Sequence, residues 1–253
     1  MRRAGLIGAV LLALAACAPE QGGGHAAARG TAVQERTALG FISGLPIYWG
    51  EPDGVADALR GPQETHWART VLEERHELVP LDRLGDDQGV PVSELAGLRH
   101  LFIAQPRAIT AADNVALDRW VREGGRAILV LDPLVTEHSR YPLGDPRRFN
   151  DVALVPPVVA RWGLAMVIPD NQQDAVTVGH ASLPLDQHAE WRVLDGGGDR
   201  PCTIGAGGVL AICRVGEGRV LLVADTAFMD RERDSAATRA AFAAILALGF
   251  DTP

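Results

Sequence analysis

An open, mainly parallel α/β sheet with helices on both faces and a hairpin near the C-terminus is the fold this sequence predicts. Three observations predict it. Apolar runs alternate with helix-period segments through the first half of the chain, the pattern of layered α/β folds. Residues 100–131 read as strand, helix, strand, a connection that needs a crossover and so makes neighbouring strands parallel. Residues 209–224 carry two apolar runs about Gly216-Glu217-Gly218, which reads as a hairpin.

Taken in order, residues 39–43 form a short strand, 67–75 a helix, 76–81 a second strand, and 100–105 a third that ends at Pro106. The next helix is signalled most completely. Thr110 can cap it with Asp113 three residues on, and Leu117, Trp120, Val121 and Gly124 fall at i, i+3, i+4 and i+7. Gly124-Gly125 ends it, and residues 126–131 then run as a buried strand into Asp132-Pro133. Pro156-Pro157 opens a helix reaching Trp162 with Gly163 as its stop, and strands are expected near 165–168 and 175–178. The stretch from there to Cys202 shows no readable period. After the 209–215 and 219–224 strands, residues 235–248 close the chain as an Ala-rich helix with Phe242, Ile245 and Leu246 on one face and Gly249 just past it.

The chain has 253 residues, 47% hydrophobic and 22% charged, enough for a substantial core, and no internal repeat appears. A net charge of −8 disfavours nucleic acid as a partner, because an acidic surface repels phosphate backbones. All 24 basic residues are Arg. Without lysine, Schiff-base chemistry, pyridoxal phosphate attachment and the P-loop lysine are excluded.

The N-terminus names a location. Arg2 and Arg3 precede a short apolar run over residues 6–14, the layout of a signal peptide and too short to span a bilayer. The run ends in Leu14-Ala15-Ala16-Cys17, which resembles the lipobox of bacterial lipoproteins. That resemblance implies that residues 1–16 are removed, that Cys17 carries lipid, palmitate among its acyl chains, and that the membrane is a partner through this anchor. Ala18 after the cysteine, where retained lipoproteins often carry Asp, implies the periplasmic face of the outer membrane. Residues 17–37, rich in Ala and Gly, form a tether with a reach of ~25 Å. Residues 38–253 are then one α/β domain. Cleavage leaves 22 Arg against 32 acids, a net charge of −10, so the anchor is lipid and not a basic patch.

Two motifs carry a family resemblance. The stretch 117–126 (LDRWVREGGR) with 128–133 (ILVLDP), and later 218–228 (GRVLLVADTAF), is similar to the auxiliary domain of uncharacterised ABC-type transport systems, a group that includes gliding-motility GldG-type subunits. The resemblance implies a flavodoxin/class I glutamine amidotransferase-like fold and an envelope transport protein as partner. The full-length subunits carry transmembrane helices where this chain offers a lipid anchor.

The chemistry of an amidotransferase does not follow with the fold. Its nucleophile sits on a tight strand-to-helix turn, whereas Cys202 and Cys213 lie in or beside the hairpin strands. In an oxidising compartment those two are expected to form a disulfide across a Gly-rich turn. No Gly-x-Ser-x-Gly elbow exists, and Ser139 beside His138 is adjacency in sequence, not a triad. Asp132-Pro133-Leu134-Val135-Thr136 places Leu134 where a phosphatase needs its second carboxylate. Gly205-Ala206-Gly207-Gly208 precedes a strand, so it is a turn and not a dinucleotide loop. The histidines stand too far apart for zinc, and no cofactor or metal is expected.

Polar residues at strand ends remain. Open α/β sheets bind ligands beyond the carboxyl ends of their strands. The candidates there are Trp49 and Glu51 after the first strand, Asp132, His138 and Arg140 after the fourth, and Asp225 with Asp230 after the hairpin. The bland alternative is that Asp132 and Asp225 cap turns while Trp49 plugs the sheet edge. Arg147-Arg148 beside Asp145 reads as a solvated ion-pair face. The expectation is a non-catalytic binding domain for an envelope protein or small polar ligand; the alternative is a hydrolase of a small envelope-derived substrate.

Overall fold

The structure, a computed structural model, describes residues 36–61, 64–195 and 202–251. The expected signal segment, Cys17 and the tether up to residue 35 lie outside the described residues. The compact unit begins at Arg36, so the first strand takes in Thr37, which the sequence pattern left with the tether.

In chain order the elements are β1 (Thr37–Ser43), α1 (Val55–Arg60), α2 (Trp67–Glu73), β2 (His76–Pro80), α3 (Ser93–Ala96), β3 (His100–Ala104), α4 (Ala111–Arg122) and β4 (Arg126–Val130). There follow α5 (Pro157–Arg161), β5 (Leu164–Val167), β6 (Ala175–Val178), β7 (Ala181–Pro184), β8 (Glu190–Val193), β9 (Cys202–Gly205), β10 (Leu210–Val215), β11 (Gly218–Val223) and α6 (Ala236–Leu246). One seven-stranded sheet runs in the order β2-β1-β3-β4-β11-β10-β9. The first five of these are mutually parallel; β10 is antiparallel to both β11 and β9.

Alternation along each strand divides the core into two layers. Leu39, Phe41, Phe102, Ile128, Val130, Leu221 and Val223 face α2, α6 and the β6–β7 hairpin. Leu101, Ile103, Ala127, Leu129, Val220 and Leu222 face α3, α4 and α5. Because both faces are covered, the central strands read as unbroken apolar runs.

Helix α4 starts with a reciprocal capping box: Asp113 N donates to Thr110 Oγ1 and Thr110 N donates to Asp113 Oδ2, both at 3.0 Å. It ends where Gly124 takes φ +106° and where a side chain on Gly125 would collide with the Trp120 ring. Asp118 then staples α4 to α5, accepting from Trp162 Nε1 and from the guanidinium groups of Arg161 and Arg122.

Several elements differ from the sequence pattern or lie beyond it. The chain after α6 does not stop at Gly249 but continues as a π-helical turn over Ala247–Asp251. A Cβ on Gly249 would come within 2.5 Å of Ile128, so this glycine permits close approach to β4 and is not a helix stop. The strands β5 and β6 pair with β8 and β7 in separate two-stranded sheets outside the main one. Helices α1 and α3, six and four residues long, are too short to show a period. Among the described residues no helix is long and apolar enough to cross a membrane. Cys202 and Cys213 are direct partners across β9 and β10 and are joined by a disulfide.

Candidate functional site at the strand ends

The carboxyl ends of β3, β4 and β11 lie side by side because Ala104 pairs with Val130 and Val130 with Val223. Two residues beyond those positions stand Asp132 and Asp225, both fully buried. Asp132 Oδ2 accepts from Thr226 N (2.9 Å) and Thr226 Oγ1 (2.5 Å), and its Oδ1 accepts from Leu134 N (2.8 Å). Asp225 accepts from Ala227 N (2.5 Å) and from Asp186 N (2.7 Å). Gln105 completes this layer. Its amide oxygen accepts from Asp132 N, and its amide nitrogen donates to the Asp132 and Asn150 carbonyls. These bonds hold Gln105 at φ +40°, a left-handed backbone that non-glycine residues rarely adopt.

The expectation that Asp132 and Asp225 line a cleft is therefore corrected: Asp132 spends its oxygens on two backbone amides and a hydroxyl, and Asp225 on two backbone amides, fixing the loops that carry the outer residues. Burial pushes both carboxyls above the usual range, and for Asp225 the neighbouring Asp132 charge pushes further.

Above that layer is a cleft of about 380 Å³ lined by Trp49, Glu51, Glu137, His138, Arg140 and Arg231 among others. The structure thus brings together four of the sequence-predicted residues, Trp49, Glu51, His138 and Arg140. Glu51 holds the cleft's two loops to each other. Its carboxylate accepts from Ser139 Oγ (2.5 Å) and Arg140 N (2.8 Å), while its carbonyl accepts from the Arg140 guanidinium (2.8 Å). Arg140 also pairs with Asp53 at 2.9 Å, and the Tyr141 hydroxyl donates to the Pro52 carbonyl. Trp49 is 65% exposed, its ring edge-on to Tyr48, which is in turn covered by Arg69. It does not plug the sheet. Arg147 pairs with Asp145 as expected but also lies over the Tyr141 ring, and Arg148 donates to the Tyr141 carbonyl, so this pair braces the loop.

Glu137, Arg231 and Asp186 escaped the sequence reading. Arg231 and Asp186 reach the site from a 3₁₀ turn after β11 and from a segment without period; the one available signal was the dense run of charge over residues 230–234. Asp230, buried to 8% exposure, accepts from the Thr136 hydroxyl at 2.9 Å, and burial pushes its carboxyl up to about 7. Burial also raises Glu137.

Nucleophile chemistry finds no support here. Among the described residues no Ser, Thr or Cys side chain is hydrogen-bonded to a histidine ring; His138 Nδ1 lies 3.3 Å from the Thr136 carbonyl, and Ser139 is engaged with Glu51. Nor do three or more His, Cys, Asp or Glu residues among those described stand where they could hold a metal ion.

No family model and no curated protein matches the sequence. Solved structures do. A β-galactosidase from Rahnella sp. R3 is 15% identical with a TM-score of 0.46, over 86% of this chain and 32% of its own. An exo-β-1,4-mannosidase from Opitutaceae bacterium strain TAV5 is 12% identical with a TM-score of 0.49, over 85% of this chain and 36% of its own. A cytoplasmic protein from Salmonella typhimurium is 12% identical with a TM-score of 0.43, over 84% of this chain and 96% of its own. The chain spans about a third of the length of the two glycosidases. At these scores the likeness assigns it neither a family nor an activity.

Proposed function

We propose that this chain is a non-catalytic binding domain, anchored through lipid on Cys17 at the periplasmic face of the outer membrane, that captures a partner protein or small polar ligand beside an envelope ABC-type transport system. The observation that carries the binding reading is the strand-end cleft. Three loops converge there with mixed charge and an exposed Trp49, while Ser139 and the buried aspartates are occupied in holding those loops together. The parallel strands in the order β2-β1-β3-β4-β11 support the flavodoxin/amidotransferase-like assignment, and ligands in such sheets bind beyond the strand carboxyl ends. The lipid anchor rests on the lipobox, and the transport association on the two motifs at 117–133 and 218–228.

Two experiments test this. Metabolic labelling with a fatty acid should mark the protein, and Cys17→Ser should release it from membranes; equal labelling of the variant overturns the anchor. Co-purification from membranes should recover less partner with His138→Ala or Arg140→Ala, and unchanged capture in both discards the site. The hydrolase alternative has one observation in its favour, two carboxyls of raised pKa, Asp230 and Glu137, in one pocket. Turnover of an ester, amide or glycoside panel that vanishes with Asp230→Asn would establish it.

A further inference from the structure

The cleft does not end at His138. A smaller pocket of about 270 Å³, lined by Thr136, Asp186, Asp230 and Arg233, shares Glu137, His138 and Arg231 with it, so the two form one trough across the strand ends. Carboxylates outnumber arginines along it, and several are already engaged. Glu51 is taken by Ser139 and Arg140, Asp53 by Arg140, and Asp186 by Arg233 at 2.8 Å.

Two of the less exposed carboxylates each keep one oxygen that no hydrogen bond from the described residues reaches. Asp230, nine-tenths buried, takes the Thr136 hydroxyl on Oδ2 and has Arg233 only at 3.5 Å; no hydrogen bond from the described residues reaches Oδ1. Glu137 accepts from Arg231 N on Oε2, and no hydrogen bond from the described residues reaches its Oε1. Neither open oxygen is sealed from water, so both face the solvent of the trough, where a charge-assisted bond to an incoming Arg or Lys is the strongest interaction they can gain. At the opposite end Trp49, 65% exposed, lines the trough beside Asp53 and Asp57. A small polyamine would satisfy the carboxylates and leave the Trp49 ring in water; a polypeptide covers both.

We infer that the trough receives a basic, apolar-flanked segment of a partner protein, with an arginine or lysine side chain set against Asp230 and Glu137 and an apolar side chain laid on Trp49. This rests on the binding reading above and names the chemistry of its ligand. The charged groups facing Asp230 are Glu137, Asp132 and Asp225, which disfavour its ionisation, and Arg233, which favours it. An incoming cation adds to Arg233, so binding near neutral pH expels a proton, and affinity rises between pH 6 and 8.

The test is isothermal titration of the full chain with acetyl-Leu-Arg-Leu-Arg-Leu-amide, its Glu-for-Arg counterpart, and spermidine. The Arg peptide should bind at least tenfold tighter than either alternative, release a proton as judged from buffers of different ionisation enthalpy, and weaken about tenfold in both Asp230→Asn and Trp49→Ala. Equal binding of the Arg and Glu peptides, or no effect of either substitution, overturns the assignment. Spermidine binding as tightly as the peptide replaces the partner protein with a small polyamine. If neither peptide binds while His138→Ala still lowers partner capture from membranes, the basic segment is wrong and the binding reading survives; if capture is also unchanged, both fall.

Discussion

Replacing Asp230 with Asn should stabilise the protein at neutral and alkaline pH. The carboxyl titrates near 7 in the fold because it is buried, against about 3.9 in an unfolded chain. As pH rises, the unfolded chain therefore ionises first, and the folded state loses stability between about pH 4 and pH 7 while keeping it in full below that window. About three powers of ten in proton affinity correspond to a ceiling of roughly 4 kcal/mol. Asn is isosteric and can still accept from the Thr136 hydroxyl, and the Asp230 carbonyl that receives Trp67 Nε1 is untouched. Urea denaturation of wild type and Asp230→Asn at pH 4.5, 6, 7 and 8 reads the effect directly. The two should nearly coincide at pH 4.5, and the variant should lead by about 2 to 4 kcal/mol at pH 8. A gap that does not change with pH, or a variant less stable at pH 8, would show that Asp230 is well solvated or properly paired, and would remove the basis for a cation site. Retaining a carboxylate that weakens the fold is understandable where a ligand needs its charge.

Glu51→Ala should free the loop at 138–141 while leaving the sheet intact; hydrogen exchange there should quicken about tenfold or more, with protection in β3 and β4 unchanged. Denatured, unreduced protein should show no free thiol from Cys202 or Cys213, and replacing both with Ala should cost about 3 kcal/mol in thermal unfolding, the loop-closure value for a separation of 11 residues. His66, buried and accepting from Ala68 N through Nδ1, is lowered to about 4, chiefly by burial and then by Arg231. Its folded pKa lies below the unfolded value, so its roughly 3 kcal/mol of stability is present above pH 6.5 and lost as pH falls to 4; NMR should find Nε2–H and a titration near 4, and a midpoint near 6.5 would refute the buried neutral ring.

The parallel core was legible because its strands are buried on both faces and its longest helix carries a complete set of signals. Thr110, Asp113 and Gly124 mark α4 in sequence for the same reasons that they end it in space. The region from 179 to 201 was opaque for a physical reason. Strands β7 (ASLP) and β8 (EWRV) are four residues each and interrupt their apolar residues with Ser and Pro or Glu and Arg, whereas the equally short β5 (LAMV) and β6 (AVTV) are apolar enough to read as strands. The helix expected to stop at Gly249 shows the converse, where one residue serves two purposes: glycine ends helices, but it also admits a neighbour, and only the position of Ile128 separates the two.

The candidate site was legible in position and not in depth. Asp132 and Asp225 each follow an apolar strand by two residues, and Glu51 and His138 follow theirs by eight; sequence distance from the strand end carries the information that was missed. A residue two positions beyond a parallel strand is still within reach of the neighbouring segment's backbone amides, as the bond from Thr226 N to Asp132 shows, or of its own turn, as the bond from Ala227 N to Asp225 shows. It is drawn into the sheet's own hydrogen bonding, and its charge is buried with it. A residue several positions on has left that ladder and can face solvent, as Trp49, His138 and Arg140 do. Asp230 lies between these cases: seven residues past β11, but folded back by two 3₁₀ turns until it is nine-tenths buried with one oxygen open. It is neither a turn cap nor a surface charge, and that intermediate depth makes it the residue on which a ligand's cation would have the largest effect.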